Sequence, residues 1–219
     1  MAGFGRMDDA FFGKVNGKGG GKVHDIFDNI VTPGGGGNSV TVVGAYQAIT
    51  TLSANAPMGS GTSANPISLN DVSGFDTGSK QYISINGVES HQILKITGNQ
   101  IEFKAGETLS ADYLAGDPVF LVVAITYSRG QDSEGKWCLM RDDHLGAGPQ
   151  PVAENVESLQ FAYLDANGNP NPANPADIRM IQVNIVVTTD KADPDLAKAG
   201  DGLRRRTLAS NIQLRNLLF

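Results

Sequence analysis

Cysteine is almost missing from this chain: a single one, Cys138, occurs in 219 residues. That count excludes an intrachain disulfide and any cysteine-clustered zinc site. Set among apolar neighbours in "KWCLM", it reads as a small half-buried strand residue and not as a nucleophile. Charge is sparse as well, at 18% of residues, and the 23 acidic against 17 basic side chains give a formal net charge of -6. The only dense basic run is "RRR" at Arg204 to Arg206, too small for the basic footprint of a nucleic-acid binder, so no nucleic-acid partner is expected. No stretch approaches the roughly 20 apolar residues of a membrane span. The opening "MAGFGRMDDAFFGK" lacks the basic-then-apolar layout of a signal peptide, and the chain as written is expected to be soluble.

Turn formers are abundant. The 27 glycines and 10 prolines, with many Asn, Ser and Thr, describe frequent turns and a β-dominated architecture. One domain is expected over 1–219, with a loop-rich part to residue 80 and a β-rich part over 81–219. In the first part, "VHDIFDNIV" places Val23, Ile26, Phe27 and Ile30 at helical spacing. "NSVTVVGAYQAI" predicts a strand, and residues 51 to 78 read as a long surface excursion.

In the second part, "QYISING" and "HQILKI" alternate, and "TGNQ" closes a tight hairpin onto "IEFKA". "PVFLVVAITYS" is a continuous apolar run, as expected of a central strand covered on both faces. "VAENVESL" predicts a short helical turn, with Val152, Val156 and Leu159 on one side and Glu154 and Glu157 on the other. Three neighbouring strands are expected over 159–164, 178–189 and 204–216. In the last of them Leu208, Ile212 and Leu214 share parity and are expected to bury together.

Motifs that carry chemistry are few. Asp165, Asn167 and Asn169 alternate in "DANGN", but Gly168 falls two places early for a calcium loop and no bidentate glutamate follows; a hairpin turn explains the same residues. His24, His91 and His144 are scattered, and no zinc-protease, nucleophile-elbow or phosphate-loop pattern occurs. His144 beside Asp142 and Asp143 reads as a solvated loop before it reads as part of a triad. "RRR" reads as the exposed start of a strand, where positive charge discourages edge-to-edge aggregation. No catalytic residue, no cofactor and no metal is expected, and the chain is not expected to be an enzyme.

The succession "ILKITGNQIEF", "VFLVVAITYS", "KWCLMRDD", "PVAENVESLQFAYLDANGN", "IRMIQVNIVVTT" and "RRRTLASNIQLRN" resembles the C-terminal two-thirds of PilW-like minor pilins. These are prepilin-type proteins of type IV pili, close in pattern to the J-type minor pseudopilins of type II secretion. The resemblance covers residues 80 to 219 well and the earlier ones loosely. It lacks the family's leader, cleavage site and apolar N-terminal helix. It implies an α+β, predominantly antiparallel pilin-like domain with short helices, whose N-terminal transmembrane helix is absent. It also implies a structural role, priming assembly or capping the fibre with other minor pilins and the major pilin. The full-length protein would be anchored at the periplasmic face of the inner membrane before entering the extracellular pilus. On this reading Phe4, Phe11 and Phe12 mark the edge where the missing helix packed, a candidate partner interface. A pseudopilin of type II secretion and a secreted β-rich adhesin or binding module are the alternatives; one Trp and five Tyr are few for a carbohydrate platform.

Overall fold

Period-two alternation of apolar and polar side chains builds this chain, strand after strand, into antiparallel ladders. The computed structural model describes residues 29–75, 81–87, 89–144, 146–198 and 200–214. Strand accounts for 51% of them and helical turn for 5%. The helical turns are three short 3-10 segments, Gly35–Gly37, Pro175–Asp177 and Leu196–Lys198. No α-helix occurs among the described residues, and the expected α+β, pilin-like architecture gives way to a β-rich one.

Two compact units share the chain, one built on Val43–Ala124 and the other on Val31–Val42 with Ile125–Leu214. The strands β2 (Ser39–Thr51) and β7 (Pro118–Gln131) each carry the backbone from one into the other.

In the first unit, β3 (Ile67–Ser68), β4 (Tyr82–Ile85), β5 (Glu89–Thr97) and β6 (Gln100–Phe103) join the unit's part of β7 in the order β7-β4-β5-β6-β3. The expected hairpin is present, with Thr97 opposite Gln100 across a two-residue turn. Residues 51 to 75 are irregular but not a surface excursion. Leu52, Ala56, Ile67 and Leu69 from this stretch enter the core beside Ile83, Ile85 and Ile101. Paired backbone bonds hold it there, Leu52 N–H to Asp117 O and Ala56 reciprocally to Tyr113, all at 2.9 Å. Each buried Leu or Ile contributes about 2 kcal/mol, which offsets the entropy of ordering so much irregular chain.

In the second unit, β1 (Val31–Pro33) pairs with the start of β2, and the end of β7 pairs with β8 (Trp137–Asp142), which pairs with β9 (Gln150–Glu154). Arg129 lies 3.6 Å over the half-exposed Trp137 ring. A separate sheet has β11 (Met180–Thr188) between β10 (Val156–Leu164) and β12 (Arg205–Gln213). Its strands match the three expected segments to within a few residues. The Gly35–Gly37 turn lies against β10. At Gly37, with φ +72°, an added Cβ would stand 2.8 Å from Phe161 O, so only glycine fits this approach.

The predicted helix over "VAENVESL" is corrected to the end of β9 and the start of β10, joined at Asn155 with φ 60°. A register shift between Val156 and Ser158 inserts an extra residue. The bulge brings Val156 and Leu159, three apart, to the same buried side and so imitates a helical period. Val152 faces solvent instead.

Gly61, with φ +103°, approaches Phe103 so closely that a Cβ would fall 2.1 Å from the ring. Phe103 is itself buried and cannot swing aside. Gly61→Ala should therefore lower unfolding stability in denaturant by about 2 kcal/mol or more, from backbone strain and overpacking together. Gly59→Ala, at φ +89° in open space, should lose about 1 kcal/mol from strain alone.

Candidate functional site

One group of titratable side chains in the first unit is buried or nearly so. Glu89 and His91, two apart on β5, share one side of the strand, and both are 0% exposed. Glu89 Oε2 is 3.1 Å from His91 Nε2, and Glu107 Oε2 is 3.6 Å from Nδ1. Neither ring nitrogen meets strict hydrogen-bond geometry, but each faces a carboxylate oxygen, and the two carboxylates together hold the imidazole. Its face stacks on Phe103, with centroids 4.4 Å apart and planes 7° from parallel. Glu89 also accepts bonds from the Tyr113 hydroxyl at 2.8 Å and from Ser110 N–H at 3.0 Å.

Burial alone would lower the His91 pKa, but Glu107 and Glu89 outweigh it and hold the imidazole above its ordinary value. Burial likewise raises the Glu89 carboxyl, and His91, Tyr113 and Ser110 outweigh that and hold it below the carboxylate range. Burial, then the Glu89 charge, pushes the Tyr113 phenol far up. The network is a charged clamp, and its arrangement is that of an internal ion pair.

A second cluster lies in the other unit. His144 Nε2 is 2.8 Å from Thr126 Oγ1, which is 2.6 Å from Thr41 Oγ1, while His144 Nδ1 is 3.8 Å from Asp142 Oδ2. Sequence could place the histidine beside its aspartate but not the hydroxyls, which arrive from β2 and β7. The carboxylate contact is too long for a hydrogen bond. Thr126 sits mid-strand opposite Asp142, and its hydroxyl is occupied by the buried Thr41. The line ties strands together.

Elsewhere the candidate chemistry is consumed by local structure. The Asp165 carboxylate accepts from Asn167 N–H, Asn169 N–H and the Asn169 amide at 2.8–2.9 Å. Those bonds, the Asn169 amide first, hold it below the usual carboxylate range, and they use the oxygens that calcium would need. Burial and then Asp132 push the Cys138 thiol up, making it a poorer nucleophile. Among the described residues no group of three or more His, Cys, Asp or Glu is placed to hold a metal ion, and no helix is long and apolar enough to cross a membrane. Glu154 and Glu157, expected on the wet face of one helix, pair instead with Lys136 at 3.6 Å and Arg205 at 2.6 Å. Arg204 pairs with Asp193 at 2.6 Å. Phe4, Phe11, Phe12 and His24 lie outside the described residues.

The feature best suited to function is the β10–β11–β12 sheet. Register aligns Leu159 with Ile185 and Leu208, and Tyr163 with Ile181 and Ile212. On β10 this apolar side is covered, and the Tyr163 hydroxyl donates to Ser39 O at 3.0 Å; burial pushes that phenol up to about 12. On β11 the cover thins, and on β12 it ends: Leu208 is 58% and Ile212 36% exposed. The expectation that Leu208, Ile212 and Leu214 bury together is thus corrected, since only Leu214 is buried. Strand parity is right, but β12 is an edge strand with one neighbour and, among the described residues, no layer over it. Compared with family models, characterised proteins and solved structures, the chain gives no match.

The buried clamp sets a pH dependence. A histidine whose folded pKa is raised contributes stability that is complete below its ordinary 6.5 and lost as pH rises through the folded value. A carboxylate whose folded pKa is lowered contributes stability present above its ordinary 4.5 and lost as pH falls through the folded value. Thermal unfolding across pH should therefore peak between 4.5 and 6.5 as far as this network is concerned. Glu89→Gln, which leaves the imidazole half-paired in the interior, should cost about 3 kcal/mol near the peak.

Proposed function

We propose that this chain is the globular part of a structural subunit of a type IV pilus, a minor pilin that helps prime assembly or cap the fibre. Its partners on this reading are other minor pilins and the major pilin. The observation that carries the proposal is the apolar row running from buried Leu159 through Ile185 to exposed Leu208, and from Tyr163 through Ile181 to Ile212. Leu208 and Ile212 continue a buried apolar row out to an edge strand, a place where a neighbouring subunit in an assembly would cover them. The order of segments that resembles minor pilins ends in this same strand, "RRRTLASNIQLRN". The proposal rests on segment order and on this surface, not on helical content. In such a subunit the protein would sit at the periplasmic face of the inner membrane before assembly and in the extracellular pilus afterwards.

The arginine run suits the same role. Arg205 lies between Glu157 and Asp201, and Arg204 is held by Asp193, so the start of β12 is locally neutralised. Exposed pairs of this kind contribute little to stability, but they guard the open edge against indiscriminate strand addition while leaving the apolar row free.

Replacing Leu208 and Ile212 by Asp in the full-length protein should reduce surface fibres at least severalfold in cells that build them, counted by electron microscopy. The same double change in the isolated chain should alter unfolding stability by about 0.5 kcal/mol or less, as for exposed positions generally. Normal fibre numbers with the double variant would refute the proposed role.

A further inference from the structure

The opposite side of the same sheet differs in kind. Parity places Gln160, Asn184 and Ala209 in one row across the strands and Ala162, Gln182 and Asn211 in the next. Between the rows runs an open groove of about 360 Å³, floored by the backbone of Phe161, Val183 and Ser210. It crosses three strands, so at the usual interstrand spacing it is about 10 Å long. All four amide side chains project at exposed positions, and none of them makes a hydrogen bond among the described residues. No charged residue lines the groove.

The fold does not account for these residue types. Asn and Ala are both disfavoured in strands, where Thr or Val at the same exposed positions would be more stable. Four amides with no side-chain hydrogen bond nevertheless share this side with two methyl groups, although the Gln160 oxygen lies near the Gly37 turn at the β10 border. Each amide offers a donor pair and an acceptor, the complement of a ligand carrying many hydroxyls and no charge. The alanine methyls at opposite corners leave room for a ring and supply an apolar contact for its C–H face. An added peptide strand would instead pair in the plane of the sheet at an edge, not across its face.

We infer that this groove binds a neutral saccharide, one to two sugar rings long, laid across β10, β11 and β12. The amides of Gln160, Gln182, Asn184 and Asn211 exchange hydrogen bonds with ring hydroxyls, and Ala162 and Ala209 pack against the rings. Such an open groove gives weak affinity, in the millimolar range at about −4 kcal/mol.

The test is a titration of the whole 15N-labelled chain with cellobiose, maltose, lactose and diacetylchitobiose, with sialyllactose as the charged comparison. At least one neutral disaccharide should shift the backbone amides of Phe161, Val183 and Ser210 and their row neighbours. The double variant Gln182→Val with Asn184→Val should unfold no earlier than the parent yet bind at least tenfold more weakly. Replacing Leu208 and Ile212 by Asp, on the other side, should leave saccharide binding unchanged, so this inference and the assembly role can fail separately. Shifts that map elsewhere, binding only of the charged sugar, unchanged binding by the valine variant, or no shift with any of the disaccharides at 50-fold excess over the chain would each overturn the inference, where ~50-fold is set by the weak affinity expected.

Discussion

The constraint on which the reading depends is the register of β10, β11 and β12. Side chains in a strand alternate between faces, so aligning Leu159 with Ile185 and Leu208 commits every odd-even choice along the three strands at once. One side becomes mainly Leu, Ile, Phe, Tyr and Val, interrupted on β12 by Ser210; the other carries the amides and alanines, flanked by Val186 and Thr207 at one end and Leu164 and Met180 at the other. A slip of one residue would exchange the two faces, burying Gln160 and Gln182 without partners at a cost of about 1–3 kcal/mol for each unsatisfied group. The pairing that makes the sheet stable is therefore also what separates an apolar surface from a polar groove.

The first unit solves a different problem. Its irregular stretch from Thr51 to Phe75 brings several core residues inward, and the polar residues of β5 go inward too. A buried carboxylate and imidazole cost several kcal/mol each to desolvate. Here Glu89, His91 and Glu107 compensate one another, with Phe103 stacked on the ring and Gly61 close against Phe103. These contacts link sequence-distant loops to one point, which makes them a source of specificity for the fold.

Much of the strand layout was legible because alternation is a local signal. The β5–β6 hairpin and the three C-terminal strands follow from it. What was not legible had particular physical causes. The bulge at Val156 to Ser158 put buried residues three apart and so wrote a helical period into a strand. The exposure of Leu208 and Ile212 depends on the absence of a covering layer, which no parity rule contains. His91 alternates like a solvent-facing residue, and its partners Glu107 and Tyr113 come from a later loop. The Thr41–Thr126–His144 line needs strands 85 residues apart to meet. The amide groove was invisible because single Asn and Gln residues carry no signal until three strands align them.

The most direct test of the account asks what touches the exposed end of the apolar row. If the proposed role holds, a photo-crosslinking amino acid at position 212, irradiated in cells that build type IV pili, should give adducts with pilus subunits, while the same probe at position 184 on the opposite face should not. Absence of subunit adducts from position 212, or equal adducts from both positions, would contradict the claim that one face of this sheet is built for assembly.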